Sequence, residues 1–192
     1  MKVKYTFYII GVGGTGSLFA RDLPQLLIGT NHQMVLIDGD IVAKKNVTRQ
    51  SYQLQDVGLN KAIALAKKIN SFYDIQCEAI DKYITLNELA ERIKRDSSVP
   101  VIVGCVDNDA TRKLLEETFK KQKAAVYIDS ANSAYSGNVF VTVKSNKDIH
   151  GKLRSEVYDL KNDKKPTDKS CQEYVSEGNL QYMVTNAKMA VC

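Results

Sequence analysis

Residues 7–17 have the sequence FYIIGVGGTGS, in which apolar residues lead directly into four closely spaced glycines. Apolar side chains with helical spacing follow, so this stretch predicts a buried strand, a tight turn and a helix N-terminus, the βα unit that binds nucleotide phosphates. Gly11 permits a turn at positive φ, and Gly16 lets the helix pack closely on the strand. Gly13 and Gly14 let the backbone approach an anion, which the free N–H groups and positive dipole end of the helix then face.

Strand and helix patterns alternate along the rest of the chain. The predicted strands cover residues 3–10, 34–37, 75–80, 99–106, 124–129 and 138–143. The predicted helices follow the glycines and begin again near residues 61, 85 and 108. This alternation predicts an α/β fold: a Rossmann-like, doubly wound, mostly parallel sheet with helices on both faces. The short connection between the last two strands predicts an antiparallel extension.

Composition excludes several classes of protein. With 192 residues, 44% of them hydrophobic and 26% charged, the chain is typical of one globular domain. The net charge is +5, but the lysines are scattered and no arginine-rich stripe appears, so we expect no nucleic-acid partner. No apolar run is long enough to span a membrane and no signal peptide is recognisable, which predicts a cytoplasmic protein without a membrane partner. The four cysteines form no C-x-x-C pair, so no zinc is expected.

Two aspartates follow the second predicted strand, residues 34–37. Asp38 lies 22 residues after Gly16, the approximate spacing at which an acidic residue binds the ribose of a nucleotide. A solvated turn carboxylate is the alternative for Asp38. For Asp40, a ligand-binding role and a turn role are equally compatible with the pattern.

An irregular segment, residues 41–50, stands where a plain dinucleotide fold usually enters its next helix. A triphosphate has about four negative charges, and transfer chemistry at its α-phosphorus needs fixed cations and usually magnesium. Arg49 and Lys61 could supply those cations from either side of the glycine turn. Each one taken singly is compatible with an ordinary surface charge, but their occurrence together with Asp38 and Asn46 favours a triphosphate site.

Asp107 stands at the carboxyl end of the strand predicted over residues 99–106. Ligands of open parallel sheets bind just beyond the carboxyl ends of the strands, and Mg²⁺ prefers carboxylate oxygen. The position therefore predicts a magnesium ligand. The alternative is that Asp107 only caps the helix predicted over residues 108–121.

Residues 144–170 are polar and lysine-rich, and they predict a long crossing loop that is either a lid or a solvated segment. Residues 170–173 have the sequence SCQE, a capping box that places Cys171 in the first turn of a final helix over residues 171–192. The helix dipole favours a reactive thiolate there, although the preferred interpretation of the pattern is a first-turn cysteine without chemistry. That predicted helix stops at Cys192 without a cap, which favours a truncated helix.

The chain resembles the ThiF/MoeB/HesA family, the bacterial relatives of ubiquitin-activating enzymes, and most of all its stand-alone ThiF-like proteins. The motifs behind the resemblance are GVGGTGS at 11–17, DGD at 38–40, NVTRQ at 46–50, DVGLNK at 56–61 and CVDN at 105–108. The resemblance implies one adenylation domain over residues 1–192. It also implies an Mg-ATP-dependent adenylyltransferase that converts the C-terminal carboxylate of a small ubiquitin-like protein, or of a peptide ending in glycine, into an acyl-adenylate.

The resemblance also implies roles for particular residues. The positions that would contact the nucleotide are Gly11, Gly13, Gly14, Gly16, Asp38, Asp40, Asn46, Arg49, Gln50, Lys61 and Asp107. Arg49 and Lys61 would act catalytically on the phosphates, and Asp107 would bind Mg²⁺. Cys171 matches the position at which some members accept the acyl group as a thioester. The resemblance further implies a homodimer or a heteromer.

Two other functions fit part of the pattern. An NAD-dependent dehydrogenase, or a bare dinucleotide-binding module, explains the glycines and Asp38 but gives Arg49, Lys61 and Asp107 no role. A catalytically inactive ThiF-like adaptor would keep the fold and bind a partner, although all the phosphate-binding positions are present. Binding of NAD without ATP-dependent pyrophosphate exchange would favour the first of these alternatives.

Overall fold

A computed structural model describes residues 3–132, 136–161 and 190–191 of the chain. Seven strands form one sheet: β1 (Tyr5–Ile10), β2 (Gln33–Ile37), β3 (Gln76–Ile80), β4 (Val99–Gly104), β5 (Ala124–Asn132), β6 (Gly137–Ser145) and β7 (Asp148–His150). Their spatial order is β3-β2-β1-β4-β5-β6-β7. The first five strands are parallel to one another, and β6 and β7 are added antiparallel. The predicted fold class, including the antiparallel extension, is confirmed.

The helices occupy the positions that the sequence predicts. They are α1 (Gly14–Asp22), α2 (Pro24–Leu27), α3 (Lys61–Phe72), α4 (Leu86–Arg95) and α5 (Asp109–Lys121). Short 3₁₀ turns cover Lys44–Asn46, Leu54–Asp56 and Arg154–Glu156. The break between α1 and α2 falls at Pro24, because proline lacks an N–H donor and fits only the first turn of a helix. No helix of the described residues is both long and apolar enough to cross a lipid bilayer.

Two hydrophobic cores lie on opposite faces of the sheet. On one face, Ile9 and Leu36 belong to a buried cluster that contains Leu65 of α3. On the other face, Ile102 belongs to a cluster that contains Leu115 of α5. Because the central strands are covered on both sides, their sequences are continuous apolar runs rather than alternating patterns.

The region predicted as a long loop contains regular structure where it is described. Strand β6 continues to Ser145, and β7 pairs with it through a two-residue turn in which Asn146 has a φ of 56°. Asparagine tolerates this left-handed conformation better than most residues, and tight hairpins require it. The hairpin is highly exposed, so its strands lack the apolar alternation from which a strand is predicted. The final helix predicted over residues 171–192 lies outside the described residues except for 190–191.

Candidate functional site

A cleft of about 880 Å³ opens where β1 and β4 lie side by side at the carboxyl edge of the sheet. The sheet grows outward in both directions from this pair, and the helices that follow the two strands cover opposite faces. Parallel sheets bind ligands at such a switch point because the loops leaving the two strands separate there. The volume is within the range of ordinary small-molecule sites.

The glycine turn after β1 forms the floor of the cleft. Gly11 has a φ of +83°, and a Cβ atom there would lie 2.7 Å from the carbonyl oxygen of Cys105. A Cβ atom on Gly16 would lie 1.9 Å from the carbonyl oxygen of Gly11. Only glycine fits at both positions, and its absence of a side chain lets α1 pack directly on the turn.

The N-terminus of α1 faces the cleft without a side-chain cap. Gly13 is the N-cap residue and, like Gly14, lines the cleft. The first turn of the helix contains no acidic residue. A nine-residue helix that begins this way presents backbone N–H groups and a positive dipole end to the cleft, which is a suitable cradle for phosphate.

Asp38 lies beside this turn at the end of β2. Its two carboxylate oxygens accept hydrogen bonds of 2.8 Å from the backbone N–H groups of Val12 and Asp40. Burial raises the pKa of Asp38, and this effect outweighs the lowering by Lys61 and by the backbone donors. A carboxylate oxygen has more than one lone-pair site, so Asp38 can also accept hydrogen bonds from the hydroxyls of a ribose in the cleft.

Lys61 is the most deeply buried cation of the cleft, with only 2% of its surface exposed. It is the first residue of α3, whose N-cap Asn60 donates its side-chain N–H to the carbonyl oxygen of Asp38 at 2.8 Å. The Lys61 ammonium donates to one carboxylate oxygen of Asp40 at 2.7 Å. An ammonium group has three donors, so this ion pair orients Lys61 and leaves donors for a ligand.

Tyr83 holds the other oxygen of Asp40 through its hydroxyl group. Burial raises the pKa of Asp40, but the hydrogen bonds from Lys61 and Tyr83 outweigh it, so the net pKa is below its ordinary value. A lowered carboxyl pKa contributes stability above the unfolded-state pKa, and this contribution is lost as the pH falls through the folded-state pKa.

We therefore expect Tyr83→Phe to raise the pKa of Asp40 towards the ordinary aspartate value, because one of the two hydrogen bonds to the charged form is removed. Carboxyl ¹³C NMR titration measures this pKa directly. Tyr73→Phe is the matched control, because Tyr73 lies at the C-terminal end of α3 and is not among the groups that shift the pKa of Asp40, so the variant should leave that pKa unchanged. An unchanged pKa in Tyr83→Phe would contradict the contact.

Asn46 organises the loop that brings Arg49 and Gln50 to the cleft. Its side-chain oxygen accepts the backbone N–H of Ala43 at 2.8 Å, and its carbonyl oxygen accepts those of Arg49 and Gln50 at 3.2 and 2.9 Å. Asn46 is 1% exposed and does not line the cleft. Gln50 does line the cleft, and its buried Oε1 atom has no hydrogen-bond partner among the described residues. A ligand that donates a hydrogen bond would satisfy it.

Asp107 lies at the rim of the cleft, directly after β4. The cap of α5 is Asn108, whose side chain accepts the backbone N–H of Thr111 at 2.8 Å. The alternative in which Asp107 serves only as the helix cap is therefore wrong. Within the described ranges no group of three or more histidine, cysteine, aspartate or glutamate side chains could hold a metal ion. A Mg²⁺ ion at Asp107 would complete its octahedral coordination with phosphate oxygens and water molecules.

Three further charged residues, which the sequence does not single out, form a buried cluster in the wall of the cleft. Arg112 and Arg154 line the cleft, and both form ion pairs with Asp129, which is fully buried. Arg112 occupies a buried stripe of α5 together with Leu115 and Phe119, and this spacing is the signal that could have identified it. Arg154 follows the exposed hairpin, where no local pattern marks it.

The structure brings most of the predicted nucleotide-site residues together. The cleft is lined by Gly11, Gly13, Gly14, Asp38, Asp40, Arg49, Gln50, Lys61 and Asp107. Gly16 packs under the turn and Asn46 lies behind the loop, so neither is part of the wall. Cys171 lies outside the described residues.

Comparison with known proteins gives consistent matches. The profile of the ThiF family matches residues 3–189. The chain is similar to ubiquitin-like modifier-activating enzyme 5 of Branchiostoma floridae, with 30% identity over 149 residues that cover 71% of this chain and 36% of that protein. The protein of the same name from Xenopus laevis is 29% identical, with 70% of this chain and 36% of that protein covered. The chain therefore spans little more than a third of the length of these relatives.

Solved structures share the fold at lower identity. A crystal structure of PaaA matches with a TM-score of 0.64 and 21% identity, covering 99% of this chain and 53% of that chain. The tRNA N6-threonylcarbamoyladenosine dehydratase TcdA of E. coli matches with a TM-score of 0.56 and 24% identity, covering 67% and 51%. A complex of TcdA with AMP matches with a TM-score of 0.50 and 24% identity, covering 62% and 47%.

Proposed function

The chain belongs to the ThiF family, and on that premise we propose that it is an ATP-dependent adenylyltransferase. Its substrate would be the C-terminal carboxylate of a small ubiquitin-like protein, or of a peptide, that ends in Gly-Gly. The carboxylate would attack the α-phosphorus of ATP, forming an acyl-adenylate and releasing pyrophosphate. The observation that supports this most is the buried ammonium of Lys61 in the same cleft as an uncapped helix N-terminus.

The charges of the cleft suit this reaction. Attack of a carboxylate on a triphosphate brings anions together, so it needs cations and N–H donors that are fixed before the reactants meet. The N-terminus of α1 would hold phosphate oxygens, and Arg49 and Lys61 would add positive charge beside them. Asp38 would accept the ribose hydroxyls, because its carboxylate is already oriented by two backbone N–H groups.

Asp107 would hold Mg²⁺ against the phosphates from the rim of the cleft. The ion would neutralise part of the polyphosphate charge when bound. Gln50 would use its unsatisfied Oε1 atom to accept a hydrogen bond from the nucleotide. TcdA shares the fold and has been solved with AMP, which supports an adenine nucleotide in this cleft.

The names of the curated relatives describe activation of ubiquitin-like modifiers, and this supports a ubiquitin-like substrate for the chain. From the family resemblance alone, we also propose that the chain acts as a homodimer or a heteromer. An NAD-dependent dehydrogenase is the weaker candidate, because it gives the buried Lys61 no role. An inactive adaptor would keep the cleft but form no adenylate.

The test is ATP–pyrophosphate exchange, measured with labelled pyrophosphate and with small proteins ending in Gly-Gly that are encoded beside this gene. We expect exchange that depends on ATP, on Mg²⁺ and on the free C-terminal carboxylate. A substrate with an amidated C-terminus is the control, because it cannot attack phosphorus. ATP binding without exchange would favour the adaptor, and binding of NAD without ATP would favour the dehydrogenase.

Cys171 is proposed to accept the activated acyl group from the adenylate. The thiolate sulfur would attack the acyl carbon, a thioester would form, and AMP would leave. We expect non-reducing gels of the protein with ATP and its partner to show an adduct that disappears with thiol reductant and in Cys171→Ala. Cys77→Ala is the control, since Cys77 is buried in the core and burial raises its thiol pKa to about 12. An adduct that persists in Cys171→Ala would contradict the role.

A further inference from the structure

Arg154 reaches the cleft from a turn that the nucleotide-binding motifs do not include. It is the first residue of the 3₁₀ turn Arg154–Glu156, which follows the exposed hairpin of β6 and β7. Although its chain segment lies at the edge of the sheet, only 6% of Arg154 is exposed. A buried arginine in the wall of a cleft requires compensation or a ligand, since burial of a guanidinium is costly.

Three contacts hold the turn rigidly on the body of the protein. The carboxylate of Glu116, which is buried in α5, accepts the backbone N–H of Ser155 at 3.0 Å and also its hydroxyl group. Leu153 is 3% exposed in the hydrophobic core. Thr142 of β6 donates its hydroxyl to the carbonyl oxygen of Lys152 at 2.8 Å. The backbone that carries Arg154 is therefore fixed before any ligand binds.

The guanidinium group is also fixed in orientation. It lies over the ring of Phe140, with 4.8 Å between its central carbon and the ring centroid, and 5.7 Å from the ring centroid of Tyr158. Its Nε atom donates to one oxygen of Asp129. The two neighbouring rings and the buried carboxylate together preorganise the fork of the arginine for a planar anion.

Asp129 cannot fully neutralise the positive charge of Arg154, because this carboxylate is shared with a second arginine. Its other oxygen accepts a hydrogen bond from Arg112. Arg112 has further partners: it donates to the carbonyl oxygens of Ser130 and Val106, and its Nε atom lies 3.8 Å from Asp109. The donors of Arg112 are thus largely used within the protein.

Arg154 uses fewer of its donors. Besides the bond to Asp129, its only other hydrogen bond to a described residue is a long one of 3.5 Å, from Nη2 to the carbonyl oxygen of Asn138. A guanidinium has five N–H donors. Nη1 therefore has no acceptor among the described residues, and the guanidinium lies in the wall of the cleft.

A second unsatisfied polar group lies in the same wall. Ser130 is 6% exposed, and its hydroxyl has no hydrogen-bond partner in the described parts of the chain. This wall adjoins the glycine turn, because Thr15 of α1 donates its hydroxyl to the side-chain oxygen of Asn132 at 3.3 Å. Ser130 and Arg154 therefore offer donors close to the place where the phosphates would lie.

We infer that Arg154, with the hydroxyl of Ser130, binds the attacking carboxylate of the acyl substrate. This inference rests on the proposed function. The N-terminus of α1, Arg49 and Lys61 would serve the phosphates, so the carboxylate needs a cation of its own to approach them. The planar fork of arginine matches both oxygens of a carboxylate, and one oxygen can remain in line with the α-phosphorus. That oxygen forms the new O–P bond while the bond to pyrophosphate breaks, and pyrophosphate leaves with the electron pair.

Two acidic residues besides Asp129 lie near this wall, Asp109 and Asp159, and both line the cleft. One oxygen of Asp109 accepts the backbone N–H of Lys161 at 2.9 Å, and the other faces Arg112. Asp159 also lines the cleft but is exposed to solvent. Solvent screens the exposed carboxylate of Asp159, so this residue offsets the charge of the buried Arg154 guanidinium only weakly.

The experiment measures binding of two fluorescent hexapeptides that end in Gly-Gly, one with a free carboxylate and one amidated, in the presence of a non-hydrolysable ATP analogue and Mg²⁺. The wild-type protein should bind the acid at least about tenfold more tightly than the amide, as expected for a hydrogen-bonded charge. Arg154→Gln should lose this discrimination, and Arg154→Lys should keep part of it. Affinity for the ATP analogue alone should stay within about twofold in both variants.

Lys82→Gln is the matched control, because Lys82 is also a cation of the cleft wall but its side chain is 56% exposed and paired with Glu88. It should leave the discrimination unchanged, and thermal unfolding checks that each variant is folded. The inference is overturned if Arg154→Gln still binds the peptide acid more tightly than the amide. It is also overturned if the wild-type protein binds the two peptides with equal affinity or binds neither. Failure of the wild-type protein to bind the ATP analogue would instead refute the proposed function.

Discussion

A Lys61→Gln variant is expected to lower the rate of ATP–pyrophosphate exchange by at least about a hundredfold, the usual effect of removing one fixed donor from a charged transition state. Glutamine keeps most of the side-chain volume of Lys61 but removes the positive charge from the cleft. We also expect affinity for ATP, measured by calorimetry, to fall by about tenfold or more, since hydrogen bonds to charged groups contribute about 1.5–3 kcal/mol.

Lys67→Gln provides the control for this experiment. Lys67 is exposed on the same helix and does not line the cleft. Its substitution should therefore leave exchange and ATP affinity at the wild-type values. If Lys61→Gln retains more than about a tenth of the wild-type exchange rate, then Lys61 does not stabilise the reacting phosphates.

The second large effect is expected on stability. In Gly16→Ala the new Cβ atom would lie 1.9 Å from the carbonyl oxygen of Gly11 and 3.0 Å from the Cβ atom of Cys105. The first contact involves backbone, which cannot move aside as a flexible side chain can. We expect the free energy of unfolding, measured with urea, to fall by at least about 3 kcal/mol.

Gly29→Ala separates steric overlap from backbone conformation. Gly29 has a φ of +73°, but no atom lies within 4 Å of the place where its Cβ would stand. We therefore expect the free energy of unfolding of this variant to fall only by the cost of placing alanine in the left-handed conformation, about 1–2 kcal/mol. Equal losses in Gly16→Ala and Gly29→Ala would mean that α1 does not pack on the glycine turn as closely as the structure shows.

The parallel part of the fold was predictable because its signals are local. A run of apolar residues that ends in glycines, such as residues 7–17, identifies strand, turn and helix within one short segment. The helix faces were less predictable: Leu26 and Ile63 have the spacing of buried residues, yet they are 78% and 43% exposed. Helical spacing alone does not determine which side of a helix meets the sheet when the sequence is apolar on more than one side.

The candidate site was predictable at the positions where phosphate chemistry requires a particular type of side chain. Arg49 and Lys61 follow the glycine turn at positions that a dinucleotide site does not need, and the structure brings both to the cleft. Asn46 was predicted to contact the nucleotide, but it lies behind the loop and holds Arg49 through its carbonyl oxygen. A polar residue that shapes a loop and one that binds a ligand have the same pattern in a sequence.

The sequence alone determined the order of strands and helices, the glycine turn and the acidic and basic residues that follow it, because glycine conformations and apolar runs depend on near neighbours. Only the tertiary structure decided that Asp129 joins Arg112 to Arg154 and that Arg154 faces the cleft. Contacts between distant parts of the chain arise from the packing of the hairpin and α5 around β5. No local pattern encodes that packing, since its free energy comes from burying surfaces that are far apart in the chain.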